Sequence, residues 1–295
     1  MPLRDYQQRS IDELYAWLKN NDGHPCLVLP TGAGKSHIVA EFCKSAVQQW
    51  AGTRILMLTH VKELIEQNAE KLRSVWPNAP LGLYSAGLKR KDVDAITFGG
   101  IQSLRKRAAT LGHIDIILVD ECHLINNKEE GGYRQLIEDL TVINPYLRVI
   151  GLTATPYRLG QGYITNDNAI FTDLIEPVAI AELVTDGYLA PLRSKLTDAH
   201  LDTANVKKRG GEFIESQLQA AVDTDPMNQA VVDEVIQLAG DRKAWLFFCS
   251  GVDHAMHVCE ALQARGIVTE CITGKHRRLN ASLLSISTSE ARYRR

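Results

Sequence analysis

One stretch, "LPTGAGKS" at residues 29–36, limits what this chain can fold into more than any other. It follows the apolar run "CLVLPT" (26–31) and opens a segment of helical spacing. There Ile38, Val39, Phe42, Cys43, Val47 and Trp50 share one face. A strand that passes through a glycine-rich turn into a helix is the setting of a phosphate-binding loop. The glycines let backbone N–H groups wrap an anion, and the helix N-terminus adds partial positive charge. In this pattern Pro30, Thr31, Gly32, Ala33 and Gly34 form the cradle. Lys35 reaches β- and γ-phosphates, and the Ser36 hydroxyl sits on Mg²⁺. The general pattern has glycine where this chain carries Leu29.

Four more apolar runs follow in the first half: "RILMLTH" (54–60), "AITFGG" (95–100), "DIILVDE" (115–121) and "RVIGLTAT" (148–155). Strands alternating with helical segments predict an α/β fold, a parallel sheet covered on both faces. Such sheets bind ligands at the carboxyl ends of their strands. The polar residues that close each run are therefore the candidate site. "VDECH" (119–123) closes the fourth run with two acids. Asp120 is placed to hold Mg²⁺, and Glu121 to take a proton from, or orient, an attacking water. Alone, two acids after a strand also fit a helix cap. Beside a phosphate loop in the same sheet they fit ATP chemistry.

"PTGAGKS" together with "DECH" resembles the superfamily 2 helicases and translocases of the DEAD/DEAH type. The resemblance implies a RecA-like domain that uses ATP and Mg²⁺. "LRDYQQ" resembles the Q motif, which puts Arg4 and Gln7 on adenine recognition. "LTHVKELIEQ" resembles motif Ia and "TFGGIQSL" motif Ib, which implies nucleic-acid contacts from Thr59, His60, Gly99, Gln102 and Ser103. "GLTATPYR" resembles motif III, so that Thr153, Thr155 and His123 link the ATP site to the nucleic-acid site. "HVKELIEQN", "SAGLKRK", "GLTATPYRLGQGY" and "DGYLAPL" resemble the bacterial RadD-like (YejH-like) DNA repair helicases over roughly residues 1–274. That branch implies single-stranded or branched DNA, with single-stranded-DNA-binding or recombination proteins as partners. It also implies a cytoplasmic, nucleoid-associated bacterial protein.

The expected organisation is a first RecA-like domain over 1–190, a connecting segment with helices over 191–240, and the start of a second RecA-like domain over 241–295. In the last part "AWLFFCS" reads as a buried strand, "VDHAMHVCEALQARG" as a helix stopped by Gly266, and "VTECIT" as the next strand. Downstream of Thr155 no segment resembles motif V or motif VI, which in such motors carries the arginine finger. The expectation is a motor with impaired hydrolysis and unwinding. Two alternatives stay open: a non-catalytic DNA- and ATP-binding remnant, and a translocase subunit of a restriction-type complex. The tail after "ITG" reads either as out of frame with a helicase gene or as a true basic terminus.

Net charge is −2, so no global basic signal points to nucleic acid. Positive charge is clustered instead, in Lys89–Lys91, Arg105–Arg107 and Lys207–Arg209. These are solvated surface or a track for a phosphate backbone. Six scattered cysteines without a C-x-x-C pair argue against a zinc site and a disulfide framework. His254, His257 and Cys259 share one helical stretch and fit a metal site poorly. The N-terminus lacks the apolar stretch of a signal peptide, and no apolar run approaches a membrane span.

Overall fold

A computed structural model describes residues 2–125, 131–158, 162–166, 169–209 and 212–273. The chain divides into two compact units, Met1–Pro191 and Leu192–Arg295.

The strands of the first unit are β1 (Pro25–Val28), β2 (Ile55–Thr59), β3 (Leu81–Ser85), β4 (Arg90–Lys91), β5 (Ile96–Gly100), β6 (Ile116–Asp120), β7 (Arg148–Thr153), β8 (Tyr157–Arg158), β9 (Gly162–Tyr163) and β10 (Asp173–Ile175). Eight of them form one sheet in the order β10-β1-β7-β6-β2-β5-β3-β4. Only β4 runs antiparallel to its neighbour, while β8 and β9 make a separate two-residue ladder. All five apolar runs read from the sequence are strands. β2 is buried at every position, and β5, β6 and β7 at all but one, as a sheet covered on both faces requires.

The helices of this unit are α1 (Asp5–Asn20), α2 (Lys35–Gln49), α3 (Lys62–Val75), α4 (Ile101–Leu104), α5 (Ala108–Leu111), α6 (Gly132–Ile143) and α7 (Ile180–Thr185). One core joins Leu14 of α1, Phe42 of α2 and Leu72 of α3 to one face of the sheet, through Leu27, Met57 and Ile150. A second core joins Leu104, Leu111, Leu136 and Leu140 of α4–α6 to the other face, through Cys26, Leu58 and Val119. The α/β, RecA-like arrangement expected from the sequence is therefore present. β3 and β10 were not foreseen. β3 contains Gly82, where an added Cβ would lie 2.5 Å from the Asp92 carbonyl oxygen, so the glycine allows a close backbone approach. β10 is only three residues long and begins with Asp173.

The second unit holds a short hairpin of β11 (Lys208–Arg209) and β12 (Glu212–Phe213), then α8 (Glu215–Val222), α9 (Asp225–Ala239) and α10 (Val252–Gln263). Residues 191–240, expected as a connecting segment, fall almost wholly within this unit. Val232 of α9 packs with Val258, Ala261 and Leu262 of α10. The helix read over 252–266 forms, and Gly266 ends it at φ 76°.

Two expectations fail here. "AWLFFCS" and "VTECIT" are not strands. Trp245, Phe247 and Cys249 turn toward the α9–α10 core, while Leu246 and Phe248 are 76% and 91% exposed. This is the alternation of a strand without a ladder. Among the described residues no neighbouring strand bonds to its backbone, and without that pairing an apolar run is only an extended segment. Val268 and Ile272 are likewise exposed.

Candidate functional site

The residues singled out from the sequence converge at the carboxyl ends of β1, β2, β5, β6 and β7. The phosphate loop follows β1. Leu29 N donates to the Thr153 carbonyl at 2.9 Å, and Ala33 N to that of Pro30 at 3.0 Å. Gly32 and Gly34 adopt φ of 86° and 80°, the left-handed region in which a side chain is strained. An added Cβ on Gly34 would also lie 2.7 Å from Gln7 Nε2.

The Ala33 carbonyl accepts from Tyr6 Oη at 2.9 Å and from Gln7 Nε2 at 3.1 Å. Gln7 Oε1 in turn accepts from the Arg4 backbone N–H at 3.0 Å, closing the N-terminus of α1. Arg4 lies 4.6 Å over the Tyr188 ring and donates to Tyr6 Oη at 3.2 Å. The start of α1 and the turn after α7 thus clamp the loop from outside.

Lys35 Nζ donates to Glu121 Oε1 at 2.9 Å. Asp120 is 8% exposed. Its Oδ2 accepts from Asn68 Nδ2 of α3 at 3.3 Å, and its Oδ1 from the Glu121 backbone N–H at 3.1 Å. Burial pushes the Asp120 carboxyl above its ordinary value, and Glu121 adds to this against the pull of Lys35 and the Asn68 hydrogen bond. A cation at this carboxylate would relieve that cost. Glu121 has φ 49°, rare for a residue with a side chain, and the αL turn directs it back toward Lys35.

His123 Nδ1 lies 2.7 Å from Thr153 Oγ1 and 3.4 Å from Glu121 Oε2. Thr153 is fully buried, and its Oγ1 accepts from the Thr155 N–H at 3.0 Å. A continuous polar chain therefore runs Lys35–Glu121–His123–Thr153–Thr155.

The residues read as nucleic-acid contacts divide into two groups. His60, Gln102 and the neighbouring Arg105 line a cavity of about 230 Å³ with Tyr133. Ser103 Oγ accepts from the Ala86 N–H at 3.0 Å. Thr59 and Gly99 are not brought to the surface. Thr59 is 3% exposed and accepts from the Val61 N–H, while an added Cβ on Gly99 would meet Leu104 Cδ1 at 2.3 Å. They shape strand ends.

Sequence reasoning missed Tyr6, Asn68, Tyr133 and Tyr188. Tyr133 is 4% exposed, its ring centroid lies 4.9 Å from that of His60, and its hydroxyl has no hydrogen-bond partner among the described residues. Burial, then Asp120 and Cys122, raise its proton affinity. Burial, then His123, lower that of His60. Tyr6, Asn68 and Tyr188 lie within the stretches "LRDYQQ", "HVKELIEQN" and "DGYLAPL", while Tyr133 lies in none of them.

Mg²⁺ fits this donor set. The oxygen ligands would be Asp120, desolvated, and Ser36, half-buried on the first turn of α2. Among the described residues no group of three or more His, Cys, Asp or Glu side chains is placed to hold a metal ion, and His254, His257 and Cys259 are included in that. No described helix is long and apolar enough to cross a membrane.

A family model described as "Type III restriction enzyme, res subunit" matches residues 1–158. The chain is 22% identical over 286 residues to the "Putative ATP-dependent helicase IRC3" of Saccharomyces cerevisiae, covering 92% of this chain and 40% of that protein. It is 23% identical over 287 residues to the "Type I restriction enzyme EcoAI endonuclease subunit" of Escherichia coli, covering 88% and 34%. The chain thus spans less than half the length of these relatives. Among solved structures it is similar to the UvsW helicase from bacteriophage T4, with TM-score 0.48 and 22% identity, covering 60% of this chain and 61% of that one.

Proposed function

The chain belongs to the family of type III restriction enzyme res subunits, among the superfamily 2 helicases, and on that premise we propose that its first unit binds and hydrolyses ATP to drive work on DNA. The observation that carries the reading is the 2.9 Å contact between Lys35 and Glu121. It brings the phosphate-loop lysine and the strand-end carboxylate to one point.

In this mechanism the triphosphate draws Lys35 off Glu121, since a polyphosphate offers more negative charge than one carboxylate. The N–H groups of the loop and the N-terminus of α2 then face the phosphates. Glu121, released, becomes the acceptor that orients water and takes its proton. Ser36 and Asp120 would hold Mg²⁺, which would supply charge neutralisation at the phosphates. His123 passes the state of Glu121 to Thr153 and Thr155 through the 2.7 Å contact.

The DNA substrate is single-stranded or branched, in the manner of RadD-like repair helicases. Single-stranded-DNA-binding or recombination proteins are the partners this reading expects. A second reading is favoured by the family match and by the EcoAI subunit: the chain supplies the translocase part of a restriction-type complex. ATPase measurements with and without DNA test the proposal. Wild-type turnover should be low but detectable, in keeping with the impaired hydrolysis expected from the sequence, and Lys35→Ala and Glu121→Gln should each abolish it. Turnover that survives both substitutions sinks the proposal. Stimulation only by duplex carrying one particular sequence would favour the restriction reading.

A further inference from the structure

The cavity beside the phosphate loop is more positive than the family motifs require. It measures about 450 Å³ and runs from Arg4 and Gln7, past Gly34, Lys35 and His37, to Lys71 of α3. No Asp or Glu is among the described residues that line it. Lys35 is matched by Glu121, and Arg4 is spread over the Tyr188 ring. Lys71 is half-buried, yet among the described residues it makes no ion pair and no side-chain hydrogen bond. The nearby carboxylate of Glu41 is already engaged, 3.6 Å from Lys44 and 3.9 Å from His37.

α3 is also tied to the catalytic end of the sheet. Asn68, one turn before Lys71 and on the same helix face, holds Asp120. That contact fixes the rotation of α3 and aims Lys71 along the cavity. An unpaired, half-desolvated ammonium in an acid-free cavity is costly without an anion, and favourable with one.

We infer that Lys71 is a second cation for the polyphosphate of the bound nucleotide, a binding and positioning residue supplied by α3 outside the sequence motifs. The inference rests on the ATP reading above and adds to it what α3 contributes. Lys71 binds through the phosphates, and neither base nor ribose is needed for its contact.

The test is equilibrium competition on the full chain against a fluorescent ATP analogue with Mg²⁺ present. The competitors are ATP, inorganic triphosphate and adenosine. Lys71→Ala should weaken both ATP and inorganic triphosphate by roughly tenfold, as expected for one charge-assisted contact, and leave adenosine unchanged. Lys71→Arg should restore both to within about threefold, because the charge returns. The thermal midpoint of Lys71→Ala without nucleotide should be no lower than that of wild type. Unchanged affinity for inorganic triphosphate in Lys71→Ala overturns the inference, as does an equal loss for adenosine. If Lys35→Ala loses ATP and Lys71→Ala does not, the ATP reading stands and only the role of Lys71 falls. If wild type binds no ATP analogue, both fall.

Discussion

Gly151→Ala adds one methyl group at the centre of the sheet and should cost far more than its size suggests. Gly151 lies in β7, paired with Cys26 of β1 on one side and Val119 of β6 on the other. Its missing side chain leaves the space in which the thiols of Cys26 and Cys122 meet at 3.4 Å. An added Cβ would lie 2.7 Å from Cys122 Sγ, 2.7 Å from Phe171 Cε1 and 2.9 Å from Phe171 Cζ. Normal contacts of this kind are about 3.5–4.0 Å, so each neighbour must retreat by about 1 Å. Neither has room, since Cys122 is fully buried and Phe171 is 4% exposed. Overpacking of this kind costs about 1–3 kcal/mol. The stiffer unfolded chain returns about 0.4–1 kcal/mol, leaving a net loss of about 1–2 kcal/mol. Cys122 directly follows Glu121, so a shift of that size also moves the carboxylate facing Lys35. Misplacement of about 1 Å can cost on the order of 10²-fold in rate. Urea unfolding and ATP turnover would be measured for Gly151→Ala, Cys122→Ala and the pair. Removing Sγ should relieve part of the clash, giving a favourable coupling of about 1 kcal/mol in the double-mutant cycle. Wild-type stability in Gly151→Ala, or strict additivity in the cycle, would refute the reasoning.

Tyr133→Phe should stabilise the first unit by about 1 kcal/mol, because it removes a buried hydroxyl without a partner among the described residues; a measured loss of stability by chemical denaturation would contradict this. In the second unit His257 Nδ1 lies 2.9 Å from Asp223 Oδ1. The Asp223 hydrogen bond raises the imidazole above its ordinary value. For Asp223, burial acts upward, but the hydrogen bonds from Asn228 and His257 outweigh it and lower the carboxyl. The histidine's contribution is complete below its unfolded value and is lost as pH rises through its higher folded value. The aspartate's is complete above its unfolded value and is lost as pH falls through its lower folded value. The pair therefore contributes most between about pH 4 and 6.5. Hydrogen exchange of the α10 amides should show the largest wild-type protection over Asp223→Asn inside that window. An equal difference at pH 5.5 and pH 9 would remove the ion pair as its cause.

The parts of the site legible in the sequence are those whose chemistry depends on adjacent residues. A phosphate loop needs glycines and a lysine in one turn between a strand and a helix, and "PTGAGKS" carries all of it locally. "DECH" is legible for the same reason, as a buried strand that ends in carboxylates. The supports were not legible because they come from other elements. Asn68 reaches Asp120 across 52 residues, and Tyr6 reaches Ala33 across 27. Nothing in the local pattern of α1 or α3 states which turn of the helix will face the loop. The misread strand fails on the same ground. "AWLFFCS" has the composition and the alternation of a strand, but a strand exists only where a neighbour bonds to its backbone, and that depends on the rest of the fold.

Gln7 shows how the structure can add a role to a residue first singled out by a motif. The resemblance to the Q motif assigns it to adenine, yet it is 4% exposed and already makes two hydrogen bonds. A carboxamide has two N–H donors and an oxygen with two lone pairs. Gln7 spends one donor on the Ala33 carbonyl and one lone pair on the Arg4 N–H. One of each remains, the complement an adenine edge presents. The same amide can therefore hold the loop and read the base. An adenine seated on it would pull on a group already bonded to Ala33, the residue between the two left-handed glycines. Base recognition would then act on the shape of the phosphate cradle itself. Gln7→Glu keeps the size and the oxygen but loses the N–H to Ala33, so it should loosen the loop for inorganic triphosphate as well as for ATP.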